Sequence, residues 1–169
     1  MLELLRACPA PVVLDADGLN LVAESGPDQH LRDGILVTPH PGEFRRLAPE
    51  AASLDRAAAA RAFVDRFSAT LLLKGARTVM TAPGRPMFFN STGTPGMAGG
   101  GQGDVLTGLL GALAARGLDL LDAACCGAWL AGRASEIAIA SGGQSAESLL
   151  AGDTAAALGS ATRELQGRT

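Results

Sequence analysis

The strongest candidate for chemistry in this sequence is a glycine-rich segment, residues 93–104, that runs directly into an apolar helix pattern. A helix N-terminus presents unpaired N–H groups and the positive end of the helix dipole, and glycine lets that backbone approach a ligand closely. We therefore predict that Gly100, Gly101, Gln102 and Gly103 form an anion hole suited to phosphate. The spacing differs from that of a Walker P-loop, because no Gly-Lys-Ser/Thr follows.

Asp104 is the carboxylate at the junction between this loop and the helix. In a phosphoryl-transfer site it would be a general base that deprotonates the acceptor hydroxyl. Alternatively, its side chain could cap the helix, since aspartate is a favoured capping residue. The loop alone leaves both roles open.

A second group of polar residues, Asp15, Asp17 and Asn20, follows a short apolar run. Magnesium needs few protein carboxylates because it keeps several waters, so one of these residues could bind it through water. Alternatively, Asp17 or Asn20 caps the helix that follows, and we favour this role for Asn20.

Alternating strands and helices must position these residues. The predicted strands cover residues 11–17, 35–38, 71–74, 79–82 and 87–90, with tight turns at 75–77 and 83–85. The predicted helices cover residues 52–69, with Leu54, Ala58, Phe63 and Phe67 near one face, and then 104–115, 119–141 and 151–165, with a loop at 142–148. This order predicts one α/β domain over residues 1–169, with a mostly parallel sheet flanked by helices and a ligand crevice where the strand C-termini converge.

Composition narrows the classes of partner. The net charge is −3, no basic cluster is present and aromatics make up 4%, so nucleic acid and anionic membranes are poor candidates. No apolar run reaches membrane-spanning length, and Glu3 and Arg6 argue against a signal peptide. The three cysteines, with Cys125 and Cys126 adjacent, suit reduced thiols in the cytoplasm.

Four segments occur in order between residues 13 and 113: "VLDADGLN", "VTPHPGEF", "LLLKGARTV" and "NSTGTPGMAGGGQGDVLTGLLGAL". Together they resemble the ADP-dependent NAD(P)H-hydrate dehydratase family, which belongs to the ribokinase-like kinases. The resemblance implies a ribokinase-like fold, ADP as co-substrate and Mg²⁺ as cofactor. It also implies dehydration of (S)-NADHX and (S)-NADPHX to NADH and NADPH, with AMP and phosphate released, and a homo-oligomer for which a tetramer is possible.

The resemblance also implies roles for individual residues. Asp104 would contact the hydrated nicotinamide and act as the base toward its hydroxyl, and Gly103 would contact the AMP portion of the nucleotide. The implied AMP-binding stretch is Lys74, Gly75, Ala76, Arg77 and Thr78. His40 matches a substrate-binding position, and Glu43 stands where related kinases place a glutamate that organises magnesium and phosphates.

Each of these side chains also has a simpler interpretation. Lys74 could be an ordinary solvated lysine, and His40 a loop histidine bonded to the backbone. Glu43 could serve only the helix dipole. Gln102 stands where the family usually has a small residue and Gly99 where Thr or Ser is common, so the backbone contacts of the anion hole are better supported than side-chain contacts.

Only ten residues precede the "LDAD" strand, whereas family members usually carry a further N-terminal portion. The chain therefore resembles the C-terminal part of the family domain, and we expect residues 11–15 to form a strand with an unpaired edge. Two other functions stay open: a small-molecule alcohol kinase of the same fold, and a nucleotide-binding remnant without activity. A phosphorylated product without NADHX turnover would indicate the first, and ADP binding without turnover the second.

Overall fold

A single mixed β-sheet forms the centre of the computed structural model, which describes residues 1–167. Its strands are β1 (Val12–Leu14), β2 (Ile35–Val37), β3 (Thr70–Leu73), β4 (Val79–Thr81) and β5 (Phe88–Phe89), in the order β1-β2-β3-β4-β5. The pairs β1–β2 and β2–β3 are parallel, and β3–β4 and β4–β5 are antiparallel. All strands except β4 therefore run in one direction, which confirms the predicted mostly parallel sheet.

Helices cover the sheet. They are α1 (Leu2–Ala7), α2 (Asp17–Ser25), α3 (Pro41–Leu47), α4 (Arg56–Phe67), α5 (Gln102–Ala115), α6 (Leu120–Ala140) and α7 (Ala151–Leu165). Short 3₁₀ turns cover Pro27–Gln29, Ala51–Ser53 and Pro95–Ala98. Helix α1 was not predicted, and α2 and α3, which are short, were expected only as helices near Asp17 and Glu43 without ranges. The longer C-terminal helices agree with their predicted ranges to within a few residues.

Two local predictions were wrong. Ala16 is the N-cap of α2, so Asp17 is its first helical residue and caps nothing, and Asn20 lies inside the helix and accepts a hydrogen bond from Arg46 Nε at 3.0 Å. Leu54 precedes α4 and is exposed, because Asp55 caps this helix through bonds to the N–H groups of its first turn.

The sheet separates two apolar clusters because alternate side chains of a strand point to opposite faces. On β2 and β3, Ile35, Val37, Leu71 and Leu73 face a cluster with α2, α3 and α4. Leu36 and Leu72 face the other cluster, to which α5 and α6 contribute. Strands β2 and β3 are thus buried on both sides, as expected of a sheet with helices on its two faces.

The two ends of the sheet differ in what they expose. β1 is an edge strand of the described sheet, as predicted for residues 11–15. At the opposite edge, β5 carries the exposed Phe88 and Phe89. Within residues 1–167, no helix combines the length and apolar character that crossing a bilayer requires.

Candidate functional site

An ion pair joins the ends of β1 and β3. Lys74 Nζ donates to Asp15 Oδ1 at 2.7 Å and lies 3.9 Å from Glu43 Oε2. The lysine side chain is 22% exposed and that of Asp15 is 11% exposed, so the charges are largely removed from water and depend on one another. The interpretation of Lys74 as an ordinary solvated lysine is therefore wrong.

The same aspartate connects the sheet to α5. Asp15 Oδ2 accepts a hydrogen bond from Thr107 Oγ1 at 3.1 Å. A Cβ placed on Gly103 would lie 3.4 Å from Asp15 Oδ2 and 3.8 Å from Lys74 Nζ, so this glycine lies directly against the ion pair. Thr107 was not predicted as a site residue, although it is four residues after Gly103 and this spacing places the two on one helix face.

The N-terminus of α3 holds His40 and Glu43 in a reciprocal capping box. His40 Nδ1 accepts from the N–H groups of Gly42 and Glu43 at 2.9 and 3.3 Å, and Glu43 Oε2 accepts from the His40 N–H at 2.7 Å. The backbone-bonded histidine and the first-turn glutamate are thus both confirmed. Roles of His40 in substrate binding and of Glu43 in magnesium binding stay predictions.

The glycine loop meets α5 as predicted, although the helix begins at Gln102, before Asp104. Gly101 is the N-cap with a φ of +81°, a conformation that glycine adopts without strain. The first helical backbone bond runs from Val105 N–H to Gly101 C=O at 3.2 Å, so the N–H groups of Gln102, Gly103 and Asp104 precede the helical ladder. These N–H groups are the ones an anion hole requires.

Asp104 itself is exposed in the first turn of α5. Within residues 1–167 its carboxylate accepts no hydrogen bond and forms no ion pair, so the capping interpretation is wrong. The carboxylate is free to meet a ligand, and its role as a base stays a prediction. Gln102 differs: its side chain is buried, and neither amide atom has a partner in the described part of the chain.

The predicted nucleotide stretch, residues 74–78, forms the tight connection between β3 and β4. Lys74 N–H donates to Pro39 C=O at 2.8 Å, and Thr78 Oγ1 donates to Gly75 C=O at 3.1 Å. The turn places Arg77 on a groove of about 660 Å³ whose other lining residues are Phe89, Asn90, Ser91, Thr92 and Gly93. The groove thus runs from the predicted nucleotide turn to the start of the glycine loop.

Helix α6 fixes that side of the groove. Asn90 Nδ2 donates to Ala128 C=O at 3.1 Å, and Thr92 Oγ1 donates to Trp129 C=O at 2.9 Å. Gly93 N–H donates to Glu136 Oε1 at 2.7 Å. These contacts could not be predicted from the sequence, because they join residues far apart in the chain.

Sequence comparison matches this chain to a family of known enzymes. Residues 1–156 match the sequence model of a family described as NAD(P)H-hydrate dehydratase. The ADP-dependent (S)-NAD(P)H-hydrate dehydratase of Neisseria meningitidis serogroup B is 41% identical over 153 residues, which are 87% of this chain and 51% of that protein. The chain therefore spans about half the length of this curated relative.

Solved structures also superpose on this chain. The ADP/ATP-dependent NAD(P)H-hydrate dehydratase of Bacillus subtilis, co-crystallised with ATP and Mg²⁺, superposes with a TM-score of 0.78 at 28% identity, over 91% of this chain and 55% of that one. A ribokinase-like superfamily protein of Enterococcus faecalis superposes with a TM-score of 0.74 at 24% identity, over 90% of this chain and 52% of that one. The second similarity establishes the ribokinase-like fold.

Proposed function

The chain belongs to the NAD(P)H-hydrate dehydratase family, and from this membership we propose that it serves the ADP-dependent dehydration of (S)-NADHX and (S)-NADPHX. The products would be NADH or NADPH, AMP and phosphate. One observation carries the proposal: the Lys74–Asp15 pair brings the end of the nucleotide turn against Gly103 of the glycine loop. The two segments to which the nucleotide is assigned are therefore adjacent.

The nucleotide is proposed to lie between these segments. Its AMP portion contacts residues 74–78 and Gly103, and its terminal phosphate meets the N–H groups at the start of α5. The groove beside Arg77 and Phe89 provides space of nucleoside size next to the turn. Lys74 supplies a positive charge whose field is partly cancelled by Asp15 and Glu43. We therefore assign phosphate binding chiefly to backbone N–H groups.

The reaction replaces a poor leaving group, hydroxide, with a good one, phosphate. Asp104 takes the proton of the substrate's C6 hydroxyl as that oxygen attacks the β-phosphorus of ADP, and AMP leaves with the electrons of the broken P–O bond. Phosphate then departs from C6, a proton is lost from the neighbouring ring carbon, and the double bond re-forms. The backbone N–H groups of Gly100 to Gly103 stabilise negative charge on the transferring group. His40 is assigned to the nicotinamide substrate.

The side chains present fit a magnesium ion that arrives with the nucleotide. Within residues 1–167 no group of three or more His, Cys, Asp and Glu side chains could hold a metal by itself. Magnesium commonly uses one or two carboxylates together with substrate phosphates and waters. Glu43 would supply one carboxylate, and Asp15, which also pairs with Lys74, would supply the other. When bound, the ion would neutralise phosphate charge.

We also propose that the protein acts in the cytoplasm as a homo-oligomer. The raised pKa values of the Cys125 and Cys126 thiols, caused chiefly by burial, favour reduced and unreactive cysteines. A tetramer is the oligomer proposed, and light scattering of the purified protein measures it directly.

Two measurements test the function. Calorimetry with ADP and with AMP tests nucleotide binding, and incubation with (S)-NADHX, ADP and Mg²⁺ tests turnover through the appearance of NADH, AMP and phosphate. Binding together with NADH formation supports the proposal. A phosphorylated organic product without NADH would indicate an alcohol kinase, and ADP binding without any turnover a nucleotide-binding remnant. No heat with millimolar AMP would contradict the nucleotide site itself.

A further inference from the structure

Arg56 occupies a position that is electrostatically unfavourable for a cation. It is the first residue of α4, where the helix dipole presents its positive end. Burial lowers the pKa of its guanidinium, which also works against the charge. Within residues 1–167 no carboxylate lies close enough to form an ion pair with it, and its buried Nε has no hydrogen-bond partner. The electrostatics of this position therefore do not favour an arginine, and we look to the hydrogen bonds of Arg56 for its role.

Those contacts lie at the end of β3. Arg56 Nη2 donates to Leu73 C=O at 2.6 Å and to Lys74 C=O at 2.7 Å. The guanidinium also lies over Gly75, because a Cβ built on that glycine would be 3.0 Å from Nη2 and 3.3 Å from Nη1. Gly75 has a φ of +144°, so any side chain there would be strained as well as crowded. A single donor group thus clamps the backbone where the strand becomes the turn.

The hydrogen bonds from Arg56 add to other contacts that hold Lys74 in place. The Lys74 N–H bonds to Pro39 C=O and the Lys74 side chain bonds to Asp15, while Arg56 holds the Lys74 carbonyl. The direction in which the chain leaves Lys74 is therefore set by Arg56. That direction decides where Gly75 to Thr78 present their N–H groups.

We propose that Arg56 is a positioning residue for the nucleotide site, which acts by holding the Lys74–Gly75 backbone in the conformation that binds ADP. It contacts backbone carbonyls and makes no contribution to the chemistry itself. The inference rests on the proposed nucleotide role of residues 74–78. It adds a residue from a different helix, one that no motif in that stretch identifies.

The chain offers a matched control on the same helix. Arg61 of α4 donates through Nη2 to Arg85 C=O at 3.0 Å, in the turn between β4 and β5. Both arginines therefore bond a backbone carbonyl of a turn, but only Arg56 bonds the turn assigned to the nucleotide. Methionine replaces either side chain with an apolar one of similar length that has no donors.

The experiment compares Arg56→Met, Arg56→Lys and Arg61→Met with the parent chain. ADP affinity is measured by calorimetry, and exchange of the Lys74 and Arg85 amides is measured by NMR without ligand. Both amides are hydrogen-bonded, to Pro39 C=O and Ala82 C=O, so each reports on its own turn. We expect Arg56→Met to weaken ADP binding about tenfold or more, because two charge-assisted hydrogen bonds are lost. It should also accelerate exchange at Lys74 and leave Arg85 unchanged.

The other variants sharpen the test. Arg61→Met should accelerate exchange at Arg85 alone and leave ADP affinity at the parent value. Arg56→Lys, which keeps the charge and part of the donor set, should recover part of the lost affinity and provides a folded variant if Arg56→Met unfolds. Equal loss of affinity in Arg56→Met and Arg61→Met, or parent affinity in Arg56→Met, would overturn the proposal. If the parent chain binds no ADP, the nucleotide function fails, and unchanged Lys74 exchange would separately refute the clamp.

Discussion

Asp104 is the residue on which the proposed chemistry depends most, and its surroundings make it easy to test. Its carboxylate is exposed, and it has no hydrogen-bond partner among residues 1–167. Substitution should therefore alter the reaction without disturbing the fold.

Asp104→Asn keeps the shape of the side chain and removes the proton acceptor. In a form of the protein that turns over (S)-NADHX, we expect the rate to fall by about two to four orders of magnitude, the usual contribution of a positioned base. AMP affinity should stay level or rise slightly, because a negative charge near the phosphate is gone. The measurements are NADH formation and AMP calorimetry.

Asp122→Asn is the matched control, since Asp122 is an exposed carboxylate in the first turn of α6. It should leave both measurements unchanged. Turnover of Asp104→Asn within about threefold of the parent would remove Asp104 from the role of base, because that effect is far below the contribution of general base catalysis.

At the residue scale, the sequence identified most of the candidate site but few of its contacts. Residue types and the resemblance pointed to Asp104, Lys74 and the glycine loop. The partner of Lys74 could not be predicted, because Asp15 is 59 residues away and only the pairing of β1, β2 and β3 brings the two together. Arg56 escaped notice for a similar reason, since its acceptors are backbone carbonyls, which carry no sequence signal.

At the element scale, the order of strands and long helices followed from periodicity, and short elements did not. Helix α3 has only seven residues, and no range was predicted for it. Its stability comes from the capping box of His40 and Glu43 and from burial of Phe44 and Leu47. The capping box is local, but the burial is a tertiary contribution that an apolar pattern of two turns is too short to reveal.

Helix α6 supports the groove through a close approach at Gly132. A Cβ at this position would lie 2.7 Å from the carbonyl carbon of Thr92. Gly132→Ala must therefore push residues 90–93, which line the groove, away from the helix. We expect a loss of about 1–3 kcal/mol of unfolding free energy, typical of overpacking, together with weaker ADP binding. Urea denaturation and calorimetry measure the two effects.

Gly108→Ala in α5 provides the comparison, because within residues 1–167 no heavy atom beyond the nearby backbone of its own helix lies within 4 Å of the added Cβ. It should stabilise the protein by about 0.5–1 kcal/mol through helix propensity. A Gly132→Ala variant as stable as the parent would mean that residues 90–93 are held less tightly than their hydrogen bonds indicate.

The Cys125 thiol on α6 makes the free energy of unfolding depend on pH in the alkaline range. Burial raises its pKa from 9.0 to about 11, and the carboxylate of Asp122 acts in the same direction. The folded state therefore holds this proton more tightly than the unfolded state, and its stabilising effect is complete below pH 9 and is lost as the pH rises to about 11. The chain has no tyrosine, and burial raises the pKa of the Cys126 thiol as well, so Cys125 accounts for part of the alkaline decline.

Cys125→Ala should flatten the decline of unfolding free energy between pH 9 and about 11. Urea titrations at several alkaline pH values measure it, and Cys8→Ala, which leaves the α6 thiols in place, should decline as the parent does. An unchanged decline in Cys125→Ala would show that this thiol titrates similarly in the folded and unfolded states.

At the scale of the whole molecule, one sheet contributes side chains to the apolar clusters on both of its faces. We therefore expect the two clusters to unfold together. Phe63 lies in the layer with α2, α3 and α4, where it is 1% exposed and packs against Phe44 and Phe67 at ring-centroid distances of 5.6 and 4.8 Å. Trp129, the chain's one tryptophan, lies on α6. Trp129 packs in a further apolar cluster between α5, α6 and α7, so it reports on the helical layer on the side of the sheet opposite Phe63.

Phe63→Ala should cost about 3–5 kcal/mol, because it removes a buried aromatic ring and leaves a cavity. If the layers are cooperative, Trp129 fluorescence and far-UV circular dichroism will shift to the same lower urea midpoint. A variant in which the dichroism changes first and Trp129 keeps the parent midpoint would indicate that the two faces unfold separately.

Lys74 is the only lysine in the 169 residues, and every other basic side chain apart from the two histidines is an arginine. Amine-selective chemistry can therefore reach just two places on this chain: the N-terminus and the ammonium held between Asp15 and Glu43. An acylating reagent would act as a single-site footprint of the crevice, with no engineered handle needed. Protection of that one amine by a nucleotide would place the ligand at the junction of β1, β3 and the glycine loop.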